Sequence, residues 1–204
     1  HATNALPRSG SHLWRLRPEG GQWEHLLAAR EGLIALNAVG SWVWALGYWG
    51  HVVYQYDVRN GRTRRAEVGS DCGHVTRNFL VDRRGHAYVP SVKSLASDPD
   101  RACEPALVGA QLVELDTDLQ VRARTRLPDY FQSAPPAANH GIVGFSALKD
   151  ATMVFVTHHG TLYHVLPTPR EPALVMRTGV LHPDPKTIAP NLYAPDGKAV
   201  LLSL

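Results

Sequence analysis

The chain has 204 residues, 44% of them hydrophobic, and carries 21 basic against 18 acidic side chains for a formal net charge of +3. That is apolar chain enough for a sizeable core. The absence of any continuous basic run argues against a nucleic-acid partner. No apolar stretch reaches the roughly 18 residues of a membrane span, and the opening HATNALPRSG lacks the charged and apolar regions of a signal peptide. A mature exported chain or an internal fragment would begin in the same way. Arginine dominates the basic residues, with only Lys93, Lys149, Lys186 and Lys198 as lysines. It suits planar recognition of carboxylates, sulfates or phosphates, and a GC-rich genome would leave the same bias.

In chain order, two strands come first, HLWRLRP and QWEHLLA, joined by Pro18-Glu19-Gly20-Gly21. Three longer units follow, over residues 31–70, 75–127 and 141–182, each predicted to hold four antiparallel strands. Every unit starts with an apolar strand (GLIALNA, NFLVDRRG, GIVGFSALKD) and continues with one richer in aromatic residues (SWVWALGYW, HAYVPSV, ATMVFVTHHG). Two more polar strands close it around a tight turn, as in VVYQYDVRNGRTRRAEV. Two final strands, IAPNLYA and AVLLSL, flank Pro195-Asp196-Gly197-Lys198. The pattern recurs about every 45 to 50 residues, with inner strands greasier than outer ones. Trp42, Trp44, Tyr54 and Tyr56 alternate at period two, which predicts packing between sheets. Arg122, Arg124 and Arg126 alternate on an outer strand and blunt its edge.

This is the grammar of an all-β propeller of four-stranded antiparallel blades, with about four blades' worth of strands. The half blades, 11–30 and 187–204, have two expected explanations. Either they pair with each other and close a four-bladed ring, or the chain is part of a six- to eight-bladed propeller. In the second case, which the abrupt end at LLSL favours, HATN is the tail of an inner strand. The remaining blades then lie on another segment or chain.

The phrases VYQYDVRNGR, FLVDRRGHAYVP and LVELDTDLQ resemble repeats of the broad β-propeller superfamily, nearest to its sugar-lyase, lactonase and BNR-type groups. The resemblance implies the fold and a ligand at the channel mouth. WD40 and kelch signatures do not recur.

Blade grammar sends the loops entering each unit and the loops after its second strand to one face. Five of the 11 histidines fall in those loops: His51, His74, His140, His158 and His159. His74 and His140 precede Phe79 and Phe145 at the same spacing. Cys72 and Cys103 share the face, and a disulfide between them would imply an oxidising compartment; reduced or metal-binding thiols are the alternative.

Three functions are expected of this face. One is a funnel for an anionic polysaccharide or oligosaccharide, lined by His74, Arg77, Asn78, His140, His51 and His158, with Trp49, Tyr130 and Phe131 as stacking surfaces. If catalytic, it would carry out β-elimination on a uronate-containing glycan. Tyr130 and His140 would be the acid–base pair, and Arg77 or a second histidine such as His74 would stabilise the enolate. The second is a divalent metal centre of His74, His140 and His158 or His159; adjacent strand residues alternate sides, so His158 and His159 cannot both point inward. The third is a scaffold binding a protein partner without chemistry. An extracellular or periplasmic location goes with the first.

Overall fold

The structure, a computed structural model, describes residues 2–4, 10–48, 50–131, 135–138, 140–180, 191–193 and 200–202. Seventeen strands fill them, with three short 3-10 turns and no other helix among the described residues. Among the described residues, no helix is long and apolar enough to cross a membrane.

The strands form consecutive antiparallel sheets. The first holds β1 (Ala2–Asn4), β2 (Ser11–Arg17) and β3 (Gln22–Ala29), in that order. The second holds β4 (Leu33–Val39), β5 (Trp42–Gly47), β6 (Val52–Asp57) and β7 (Thr63–Glu67). The third holds β8 (Leu80–Val81), β9 (Ala87–Ser94), β10 (Val108–Leu115) and β11 (Val121–Arg126). The fourth holds β12 (Ile142–Ala147), β13 (Met153–Thr157), β14 (Thr161–Leu166) and β15 (Leu174–Val180). A last pair joins β16 (Asn191–Tyr193) and β17 (Val200–Leu202). Each four-stranded sheet pairs its strands in sequence order, as propeller blades do. The first strands of neighbouring blades touch, β4 against β8 and β12 against β16.

The chain before Glu31 holds a third strand, Ala2–Asn4, paired with Ser11–Leu13, as the reading of HATN as the tail of an inner strand expects. Among the described strands the last pair forms a sheet of its own. The turn expected at Pro195–Lys198 lies outside the described residues.

Three apolar clusters sit between the sheets, and strand alternation explains them. Leu13, Leu27 and Ala29 meet Leu33, Ala45 and Tyr54 between the first and second sheets. Trp44, Leu46 and Val53 meet Phe79, Ala87, Val89 and Val113 between the second and third. Tyr88, Ala110 and Leu112 point the other way, onto Ile142, Phe155 and Tyr163 of the fourth. A sheet covered on both faces has middle strands buried throughout, as Val52–Asp57 is. The outer strands Thr63–Glu67 and Val121–Arg126 keep the exposed arginines.

The tight turns share one device. Asp57, Asp82, Asp116 and Asp150 each accept, through a carboxylate oxygen, the amide two residues on: Arg59, Arg84, Asp118 and Thr152. This is the Asx turn, in which the side chain stands in for a backbone acceptor. Glu114, 3% exposed, then ties two blades together. It accepts from Arg122 (3.2 Å) and from the amide of Ala173 (2.9 Å), and lies 3.0 Å from His86 Nδ1.

Candidate functional site

The five histidines stand on loops whose backbone is shaped for them. His51 has a φ of 50° and follows Gly50 at 82°, a reversal that few side chains tolerate. Cys72 and Gly73 take φ values of 59° and 65° just before His74. That loop is stitched to the end of β9: Val92 N–H donates to Ser70 Oγ (3.0 Å), and Ser94 N–H to Asp71 Oδ2 (2.9 Å). Cys72 and Cys103 form a disulfide, with Cα atoms 5.3 Å apart, pinning the long 95–107 loop beside it.

His51 and His74 lie beneath the surface, 1% and 2% exposed, with rings stacked 5.5 Å apart at 10°. Hydrogen-bond accounting fixes the His51 proton. Thr76 N–H donates to His51 Nε2 (3.2 Å), so the His51 proton sits on Nδ1, which has no partner among the described residues. The Ser70 hydroxyl accepts from Val92 N–H and bonds His74 Nδ1 (3.0 Å), while His74 Nε2 bonds the Tyr130 hydroxyl (3.2 Å), so both nitrogens of His74 are engaged in either tautomer. Tyr130 is 1% exposed and meets Phe131 edge-on at 5.3 Å. Burial pulls His51 down to about 4. Burial, with His51 and His140 adding to it, pulls His74 down to about 3. Burial pushes the Tyr130 phenol well above its ordinary value.

The second group is nearer solvent. His140 and His158 are half-buried and meet edge to face at 4.8 Å, with His159 5.0 Å beyond His158. Nδ1 of His140, Nδ1 of His158 and Nε2 of His159 are buried and unpartnered among the described residues. Arg77 is exposed and its amide donates to the His140 carbonyl (3.3 Å). It forms no ion pair with a described residue. Burial lowers all three imidazoles, and the Arg77 cation lowers His140 and His158 further. At neutral pH they act as uncharged donors and acceptors.

Gly141 sets the position of His140. Its φ is 63°, and a Cβ there would fall 2.6–2.8 Å from Thr76. Ile142 N–H closes the contact on Thr76 Oγ1 (3.1 Å). The A–B turns of the third and fourth sheets are equally long, 82–86 and 148–152. Counting back from them sets Phe79 level with Phe145, and His74 level with His140.

The expected site residues thus divide. Arg77, Asn78, His140 and His158 reach the surface or lie half-buried, and Phe131 is half-buried at the rim. His51, His74 and Tyr130 lie below as support. Asn78 spends its side-chain oxygen on the Phe79 amide (3.0 Å). Trp49 lies outside the described residues. Sequence reasoning missed Ser70 and Thr76, since a lone hydroxyl in a loop carries no pattern.

Two expected chemistries lack their geometry. A metal centre needs converging lone pairs, yet both ring nitrogens of His74 are engaged. Among the described residues, no three His, Cys, Asp or Glu side chains are grouped to hold an ion. The candidate ligands His74, His140 and His158 belong to no such group among the described residues. An eliminating base must reach its substrate and titrate near the working pH, whereas Tyr130 is buried with its phenol pushed up. Two clefts lie away from the histidines: about 420 Å³ beside Arg30, Tyr54 and Arg65, and about 160 Å³ beside Asp82, Arg83 and Asp150.

No family model matches the sequence. No curated protein matches it. Solved propellers match its fold. In the complex of KlAtg21 with the coiled coil of AgAtg16, one chain superposes with a TM-score of 0.56 at 12% identity, covering 96% of this chain and 56% of that one. A Bacteroides fragilis protein assigned as a 6-phosphogluconolactonase gives 0.54 at 11%, covering 96% and 57%. A protein assigned as a gluconolactonase gives 0.51 at 9%, covering 97% and 64%. At such identities the likeness shows the fold alone, and the chain spans less than two thirds of each neighbour.

Proposed function

We propose that this chain recognises a carbohydrate at its histidine-bearing loops, by binding rather than by elimination. The carrying observation is that His140, His158 and His159, the group nearer solvent, keep ring nitrogens unpartnered among the described residues. Proteins pair nearly all such atoms, so these await hydroxyls, water or both. Neutral imidazoles suit sugar hydroxyls because each offers one donor and one acceptor. The half-buried Phe131 ring gives an apolar C–H face something to pack on. Two of the resembling propellers are assigned as sugar-acid lactonases, which fits a sugar-derived ligand. The Cys72–Cys103 bridge fits an extracellular or periplasmic home.

The test is calorimetric titration with neutral and uronic-acid oligosaccharides. Binding should weaken at least about tenfold in His140→Ala, the loss of one to two hydrogen bonds. Binding by no glycan, or equal binding by that variant, overturns the reading. A second reading is a protein scaffold, since KlAtg21 is held in a complex with a coiled coil. Capture of a protein partner that survives His140→Ala would favour it.

A further inference from the structure

Arg77, His140 and His158 form a group of one cation and two imidazoles with no carboxylate. Arg77 is exposed without an ion pair among the described residues. The charged or titratable groups acting on His140 and His158 are Arg77, His159 and each other. His140 also acts electrostatically on His74 and His159. A proton on either ring therefore adds positive charge beside Arg77, and no described residue offsets it. An arriving anion reverses that balance, because its charge stabilises the guanidinium and a protonated ring together.

We propose that the ligand is an acidic sugar whose carboxylate docks on Arg77 beside His140 and His158, and that its binding draws a proton from solvent onto this histidine pair. The proposal rests on the carbohydrate reading and adds to it the ligand's charge and its coupling to pH. No bond forms or breaks beyond the N–H gained by one ring, and the proton returns to solvent when the ligand leaves. The two half-buried rings meet edge to face beside the exposed Arg77, whose amide donates to the His140 carbonyl, so a carboxylate on the guanidinium stands next to both. By linkage, acid must then tighten the acidic ligand and leave a neutral one unaffected.

The experiment titrates the protein with trigalacturonate and with its methyl ester, at pH 7 and pH 5, in two buffers of different ionisation enthalpy. Trigalacturonate should bind about tenfold tighter at pH 5, with between about half and one proton taken up per ligand at the intermediate pH. The methyl ester should bind with neither effect. Arg77→Gln should remove the preference for the acid while sparing the ester. In His140→Asn the pH dependence should shrink even though trigalacturonate still binds. Acid and ester binding alike, or acid binding without proton uptake, overturns this inference and leaves the carbohydrate reading standing. Binding of neither sugar at either pH overturns both.

Discussion

His51 and His74 lie ring on ring beneath the surface, whereas His140 and His158 meet edge to face and stay half-buried. The first pair joins a loop within the second sheet to the loop entering the third, whereas the second pair joins two loops of the fourth sheet. The difference lies in what surrounds them. His74 has Ser70 on one nitrogen and Tyr130 on the other, and His51 receives the Thr76 amide. The second pair has the exposed Arg77 beside it and no partner among the described residues on either Nδ1, whereas in the first pair only His51 Nδ1 lacks one. One pair thus acts as a brace for the loops, and the other keeps more unspent hydrogen-bonding capacity nearer the surface. Histidines recruited to one face by the same fold divide into support and contact according to depth.

Acid should break the comparison most forcefully. The folded values of His51 and His74 lie below the ordinary 6.5, near 4 and 3, so the unfolded chain binds protons first as pH falls. The stability from their neutral forms is fully present above pH 6.5 and is lost as pH drops toward 4 and 3. His51 alone contributes about 3 kcal/mol over that span. Urea unfolding at pH 7.5, 5.5 and 4.5 should show a steep decline, flattened in His51→Gln. A flat wild-type profile would contradict the burial of this pair.

His74→Ala comes next, because it leaves Ser70 and Tyr130 without their shared partner and opens a buried space. The expected cost is about 2–4 kcal/mol, read as a fall in the urea midpoint. Gly141→Ala should cost about 2 kcal/mol, since a Cβ at φ 63° meets Thr76, including its backbone Cα at 2.8 Å. It should also displace His140 and weaken ligand binding. A stability change under about 0.5 kcal/mol would show that the loop shifts freely.

Sequence reached the blades and stopped short of this division. Period-two alternation in VVYQYD and AYVPSV announces strands between two other sheets, and Trp44, Tyr54 and Tyr88 are buried as such strands require. The loops gave only their residue types. Nothing in Gly73-His74 or Asn139-His140 says that one imidazole is 2% exposed and the other half-buried. That depends on how Tyr130 packs with Leu80, Tyr88 and Leu112 of the third sheet, a matter of tertiary packing. Strand β8 also proved short, Leu80–Val81. Thr76 and Asn78 spend their side chains on local backbone, Thr76 Oγ1 on the Asn78 carbonyl and Asn78 Oδ1 on the Phe79 amide. Polar residues of this kind compete with a ladder.

The finest test sets His140→Ala against His74→Ala. His140 gives its ring no hydrogen bond to a described residue at Nδ1 and is half-buried, so truncating it breaks little. Stability should change by no more than about 0.5–1 kcal/mol, while ligand affinity falls at least tenfold. His74→Ala should instead lower stability first and affinity only through the displaced loop. Two measurements on two variants then separate the pairs: the urea midpoint and the dissociation constant, taken at pH 7.5 where all of these rings are neutral. If His140→Ala unfolds as readily as His74→Ala, depth does not sort the histidines, and the unpartnered nitrogens belong to the brace as well.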